Sequence, residues 1–286
     1  MKVGLKNWRN PRWYRRPLSA VRISNQAVDS AGANDDGRLT RMRPMLQVKG
    51  VSKRFGGVAA ISGLSFELAR GEVLGVIGPN GAGKTTLLNL ITGYSVPSAG
   101  SIRLEGKKLN GLAPYEICRL GIARTFQVVQ PFGEMLVVDN VMVGALFASN
   151  IWLSMREAER RAEDALDVVG LLAKRHIMAN ELTIGEKKKL ELARALATKS
   201  KLLLLDEVMS GLTGSEIDAV MDVVERVADA GMTILMIEHL VGVIVALCDR
   251  VLVLNFGSEL FQGSPDDAVK HPQVIESYLG QPLEKL

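Results

Sequence analysis

Gly78-Pro79-Asn80-Gly81-Ala82-Gly83-Lys84-Thr85 has the spacing with which a chain wraps the phosphates of a nucleoside triphosphate. The chemistry is electrostatic and local. Backbone N–H groups reach phosphate oxygens only where no bulky side chain intervenes, and glycine permits both that approach and the unusual φ values the wrap needs. Lys84 supplies a point charge for the outer phosphates, and the Thr85 hydroxyl is placed to ligate the Mg2+ that accompanies them. Asn80 and Thr86 complete the expected nucleotide contacts.

The loop needs rigid flanks, and the sequence provides them. Residues 72–77 read as a buried strand entering it and residues 86–92 as a helix leaving it, stopped at Gly93. Phosphate then meets the positive end of a helix dipole, worth about half a unit charge. A second apolar run, residues 201–206, has the character of a buried parallel strand and ends in Asp206-Glu207. Side chains at such a strand end emerge toward ligands. The first carboxylate suits magnesium through its water shell, the second a base for an attacking water. Ile217, Val220, Met221, Val224 and Val227 follow at helical spacing, Gly231 stops that helix, and residues 233–237 form the next strand of a βαβ unit.

The remaining pattern places this core among other elements. Residues 46–51 and 64–68, around Gly56-Gly57, read as antiparallel strands, and residues 101–104 with Gly106 as a further hairpin. Residues 131–180 are helical in pattern, with one helix expected over 155–172. The chain closes with a strand over 250–255, a Phe256-Gly257-Ser258 turn, a return strand, and a helix capped by Ser264 with Pro265 at its first position. The expected fold is α/β: a phosphate-loop core with a parallel sheet, an antiparallel β subdomain, and an inserted α-helical subdomain at about residues 131–195. The folded domain is expected over 45–281, with a short tail at 282–286. No internal repeat is evident.

Composition narrows the function classes. The chain carries a formal charge of +4, but residues 1–44 hold ten Lys or Arg against three Asp, so this leader carries +7 and the remainder −3. The basic excess belongs to the leader, and no nucleic-acid partner is expected for the domain. Trp8, Trp13 and Tyr14 sit among the leader's arginines, ahead of a polar stretch over 30–37, and there is no apolar segment of the secretory kind. Its composition suits a disordered extension with Met45 opening the folded domain; the alternative is a basic-aromatic arm touching anionic lipid or nucleic acid. No uncharged apolar run approaches the ~20 residues needed to cross a bilayer. Cys118 and Cys248 lack metal-ligand spacing and read as ordinary thiols of a reducing compartment.

Between the two apolar strands lies Leu182-Thr183-Ile184-Gly185-Glu186-Lys187-Lys188-Lys189-Leu190-Glu191-Leu192-Ala193-Arg194-Ala195-Leu196, which resembles the signature sequence of the ABC ATPases. That resemblance covers residues 45 to about 281. It implies that Thr183, Gly185 and Glu186 grip the γ-phosphate of ATP held by a second ATPase subunit. It implies further that Phe55 stacks on adenine, that Gln127 joins Thr85 and Asp206 around Mg2+, that Glu207 is the catalytic base, and that His239 contacts the γ-phosphate beside Lys84. Departures are visible: Thr183 stands where Ser is usual, Glu186 for Gln, Val208 for Pro and Thr213 for Asp.

Residues 121–127, 206–212 and 272–280 look like those of the branched-chain amino acid importer ATPases. The resemblance implies an ATP-hydrolysing subunit at the cytoplasmic face of the plasma membrane, paired with a second ATPase and served by permease subunits and a solute-binding protein. Phe132, Met135, Leu136 and Val137 are candidates for the permease contact, or else internal packing. Two other classes stay in view. One is a soluble ABC-type switch on ribosomes or DNA, which usually carries two ATPase domains or a long coiled-coil insertion; the other is a phosphoryl-transferring kinase.

Overall fold

The computed structural model describes residues 44–148 and 153–279; the basic leader and the tail lie outside the described residues. Period-two alternation builds the centre. In β3 (Val73–Ile77), β7 (Leu202–Asp206), β8 (Thr233–Ile237) and β9 (Arg250–Asn255), successive apolar residues point to opposite faces of one sheet. Ile77, Leu203, Ile234 and Val251 face one core; Leu74, Leu204, Leu235 and Leu252 face a second. A sheet apolar on both faces must be covered on both, and each Leu so buried contributes roughly 1.5–3 kcal/mol.

Sheet order is β10-β9-β3-β8-β7-β6, with β6 at Ile122–Arg124 and the antiparallel return strand β10 at Ser258–Gly263. The strands β9, β3, β8, β7 and β6 pair in parallel. A separate antiparallel sheet, β2-β1-β4-β5, comprises β1 (Leu46–Phe55), β2 (Val58–Leu68), β4 (Ala99–Leu104) and β5 (Lys107–Lys108). Helix α1 (Lys84–Ile91) buries Leu87, Leu88, Leu90 and Ile91 in the same core as the inner face of that sheet. The short helix α2 (Pro114–Leu120) adds Ile117 there.

The other core is helical. Helices α3 (Val137–Phe147), α4 (Met155–Val168) and α5 (Ile184–Ala197) pack on one another, and α6 (Gly214–Asp229) and α7 (Val241–Leu247) complete the layer. The chain ends in α8 (Pro265–Ala268), capped by Ser264 as expected, and α9 (Pro272–Leu279).

The helix expected to run to 172 stops at Val168. Gly170 adopts φ 72°, its N–H bonding to Asp167 O at 3.0 Å, while Leu171 N–H reaches back to Leu166 O at 2.8 Å. That pair of bonds is a Schellman closure, and the buried Leu166 and Leu171 seal it. Leu172–Lys174 follows as a single 3-10 turn.

Of the residues flagged for a permease contact, Phe132 is exposed and Val137 is wholly buried, with Leu136 packed against the helical core. The bend that separates them is held by Asn140. Its Oδ1 accepts from Phe132 N–H at 2.8 Å, and its amide donates to Phe132 O and Leu136 O, each at 3.0 Å, while the side chain sees no solvent. Replacing it with Ala removes these bonds from part-buried backbone groups, above all Phe132 N–H and O, at about 1–3 kcal/mol each. Asn140→Ala should therefore lower unfolding stability by roughly 2–4 kcal/mol in denaturant titration, an effect expected from several such losses with partial rehydration.

Candidate functional site

Four neighbouring parallel strands end at one edge, and each delivers polar groups there. β3 runs into the phosphate loop, β8 into Glu238 and His239, β7 into Asp206 and Glu207, and β6 into Thr125 and Gln127. The register pairs Asp206 with Ile237. Glu207 N–H donates to Ile237 O at 2.9 Å, and Thr125 N–H to Leu204 O at 2.9 Å, so the loops leave the sheet still tied to it.

Gly78 has a reason to be glycine besides the ligand. It sits at φ 152°, and a Cβ there would stand 2.2 Å from Leu254 O of β9. The β9–β10 turn braces the far end of the loop, with Gly257 N–H donating to Ala82 O at 3.1 Å. Lys84 is buried, its ammonium donating to Gly78 O at 2.6 Å and Pro79 O at 2.9 Å. Burial pulls its pKa down, opposed by the charges of Glu207 and Asp206. At the start of α1 Thr85 is exposed and Thr86 half-buried; in the loop Asn80 and Gly81 are exposed, Gly83 is half-buried and Ala82 is buried.

Glu207 is the hub. Its backbone is left-handed at φ 48°, a conformation that costs a non-glycine residue about 1–2 kcal/mol and aims the side chain away from the strand direction. Its Oε2 accepts from Gln127 Nε2 at 2.7 Å, and its Oε1 lies 2.5 Å from His239 Nε2. A carboxylate fixed between an amide and an imidazole is oriented for proton transfer from a water beside it. Asp206, by contrast, is tied at Oδ2 to the buried Arg124 guanidinium at 2.7 Å. Arg124 also donates to Asn89 Oδ1 at 2.7 Å and lies 5.0 Å from the Phe126 ring centroid.

Two buried ionisable groups complete this edge, and neither was singled out from sequence. Lys188 of α5 donates to Gln127 O at 2.7 Å; its pKa is lowered by burial, against the charges of Glu238, Glu191, Glu207 and Asp206. Glu238 accepts from Met209 N–H at 3.0 Å, and burial pushes its pKa up to about 7 against the pull of the Met209 and His239 N–H groups and Lys188. Lys188 could have been suspected, because it lies three residues from Gly185 and four from Leu192 on the buried face of α5. Arg124 and Glu238 carried no such signal.

The remaining sequence candidates lie elsewhere. Phe55 ends β1 in the antiparallel sheet, half of it exposed, with the Lys53 ammonium 4.9 Å from its ring centroid. Thr183, Gly185 and Glu186 form the N-terminus of α5. Thr183 caps it, its Oγ1 accepting from Glu186 N–H at 3.3 Å. Glu186 returns the bond to Thr183 N–H at 3.1 Å and meets Lys174 Nζ at 2.5 Å. The charge that distinguishes Glu186 from the usual Gln is thus engaged within its own chain, where it closes a capping box.

A phosphate-loop strand and helix with a carboxylate poised at the next strand but one define a nucleoside triphosphate-binding domain of the ATP-hydrolysing class. Residues 61–210 match the ABC transporter family model. The chain is 36% identical over 252 residues to the high-affinity branched-chain amino acid transport ATP-binding protein BraF of Pseudomonas aeruginosa, covering 84% of this chain and 99% of that one. It is equally similar, at 36% over 252 residues with the same coverage, to the protein of the same description, LivG, of Escherichia coli. Among solved structures, it resembles an ABC transporter ATP-binding cassette in its ADP conformation, with TM-score 0.77 and 30% identity over 84% of this chain and 100% of that chain. The chain belongs to the ABC transporter family, and it is an ATPase.

Glu238 yields a pH test. A carboxyl whose folded pKa is raised from 4.5 to about 7 keeps a proton that the unfolded chain loses, so stability falls as pH rises across that window. The cost is complete above pH 7 and amounts to roughly 3 kcal/mol. Glu238→Gln keeps the acceptor for Met209 N–H without a charge. It should match the parent protein near pH 4.5 and exceed it by about that amount at pH 8 in denaturant unfolding.

Proposed function

We propose that this ATPase powers the import of branched-chain amino acids or a similar small solute. It works at the cytoplasmic face of the plasma membrane, through separate permease subunits supplied by a solute-binding protein. The similarity to BraF and LivG, both branched-chain amino acid transport ATP-binding proteins, supports the solute class. Among the described residues no helix is long and apolar enough to cross a membrane. The folded unit is residues 45–281, with 131–195 as its helical subdomain and 1–44 as an extension.

The Gln127–Glu207–His239 network carries the mechanism. ATP binds with its adenine on Phe55 and its phosphates in residues 78–86. Two ATPase subunits, like or unlike, then close around two ATP molecules, each offering Thr183, Gly185 and the Glu186 turn to the other's γ-phosphate. Glu207 orients water and takes its proton as the oxygen attacks the γ-phosphorus; the bond to the β-phosphate oxygen breaks and ADP leaves with that electron pair. His239 holds the γ-phosphate, and Lys84 offsets the charge that develops on the phosphate oxygens.

The donor set suits magnesium. Thr85 offers a hydroxyl, Gln127 retains its carboxamide oxygen while its amide holds Glu207, and Asp206 retains Oδ1 while Oδ2 holds Arg124. Bound there, Mg2+ would supply charge neutralisation at the phosphates.

A cleft of about 660 Å³ between the core and helices α3 and α5 is lined by Tyr94, Phe126, Val128 and Arg194 as well as Gln127 and Asp206. It is the proposed permease seat, since movement of a segment lodged there would be felt directly by the Gln127 loop.

Glu207→Gln should bind ATP with unchanged affinity and hydrolyse it ~10²–10⁴-fold more slowly. Phosphate release at parental rates would remove Glu207 from the mechanism. Detergent-solubilised membranes should yield the chain together with hydrophobic permease subunits. Recovery with ribosomes or nucleic acid would favour the soluble switch instead.

A further inference from the structure

The backbone that is to receive the partner's γ-phosphate is already covered. Gly185, second residue of α5, is buried although it belongs to an exposed helix start. The three atoms nearest to where its Cβ would stand all belong to Glu216, with Oε1 at 2.8 Å and Cδ at 3.1 Å. Glu216 lies in the first turn of α6, and its Oε2 accepts from both Thr213 N–H at 2.9 Å and Thr213 Oγ1 at 2.8 Å. One oxygen is thus anchored in the loop after Asp206-Glu207, and the other lies over the start of α5. Hydrogen bonding from Thr213, and secondarily from the Gly185 N–H, keeps the carboxyl below its usual pKa, so it carries its charge at neutral pH.

A carboxylate and a phosphate compete for the same thing at a helix start, namely unpaired N–H groups and the positive end of the dipole. We propose that Glu216 is an internal occupant of the γ-phosphate seat on α5, which must be displaced before two ATPase subunits close, and so sets the ATP concentration at which they pair. This rests on the shared-site reading above and adds its regulation. Displacement has a defined route. Cγ, Cδ and Oε1 of Glu216 all lie against Gly185, so uncovering it takes a swing of the whole side chain that gives up the Thr213 bonds. The Thr at 213 fits the arrangement, because an Asp there would place a second negative charge against this carboxylate.

The test is a change in threshold. In a Glu207→Gln background, which slows hydrolysis, ATP-driven pairing is followed by light scattering across an ATP titration. Glu216→Gln retains an N3 side chain able to cap α6 but loses the charge. It should lower the ATP concentration for half-maximal pairing by roughly fivefold or more. Glu216→Ala, which empties the seat entirely, should lower it at least as far. The same shift should appear in the half-maximal ATP for hydrolysis by the membrane complex in the Glu207 parent. A threshold unchanged or raised in both variants overturns the proposal and leaves Glu216 a cap of α6. Failure of the Glu207→Gln parent to pair with any ATPase subunit would instead overturn the shared site, and this inference with it.

Discussion

A parallel sheet buried on both faces can offer polar side chains only where its strands stop. That constraint organises the molecule. Along β3, β7, β8 and β9 each apolar side chain is committed to one core or the other, so a charge in the middle of these strands would be stranded in hydrocarbon at a cost of several kcal/mol. Chemistry is pushed to the carboxyl edge, where four adjacent strands release the phosphate loop, Gln127, Asp206, Glu207 and His239 within reach of one another. The antiparallel sheet and the helical layer meet the same demand from opposite sides, by covering the two faces.

Crowding ionisable groups at one edge creates a second problem, and the structure handles it by pairing. Asp206 is matched to Arg124 with both side chains nearly dry, an arrangement that is costly to break because either partner alone would be an uncompensated buried charge. Lys84 and Lys188 are both desolvated, and both are faced by Glu207 and Asp206. Glu238 has no close cation bonded to it and yields instead, its carboxyl drifting toward neutrality. Three responses to the same low-dielectric edge thus coexist within a few residues of the triphosphate seat.

What sequence could show follows from the range of the interactions. Strand, loop and helix around Gly78 to Thr92 were legible because the signals are local: apolar runs, glycine spacing, a stop at Gly93. The two-sheet architecture was legible for a related reason, since alternation and unbroken apolar runs distinguish half-covered from doubly covered strands. The end of α4 was misread by four residues, because Val169 and Leu172 continue the helical spacing while the backbone has already turned at Gly170. Contacts made by long side chains across distant segments left no trace in spacing. Arg124 with Asp206, Lys188 with Gln127 and Glu216 with Gly185 each join residues that only the tertiary fold brings together.

Those same long-range contacts give a physical route by which the two halves of the proposed shared site would stay in step. Gln127 is gripped from two directions, its amide by Glu207 in the core and its carbonyl by Lys188 on α5. The start of α5, three residues before Lys188, is in turn pressed by Glu216, which hangs from Thr213 in the loop that follows Glu207. The chain of contacts closes on itself: base, glutamine, α5, Glu216, and back along seven residues of backbone to Asp206 and Glu207. An element held at several points by polar contacts in a low-dielectric setting shifts as a unit between discrete arrangements more readily than it deforms by degrees. A phosphate arriving at Gly185 from one side and a permease segment pressing on the Gln127 loop from the other would therefore act on the same body, α5, and both would reach Glu207 through side chains already in contact.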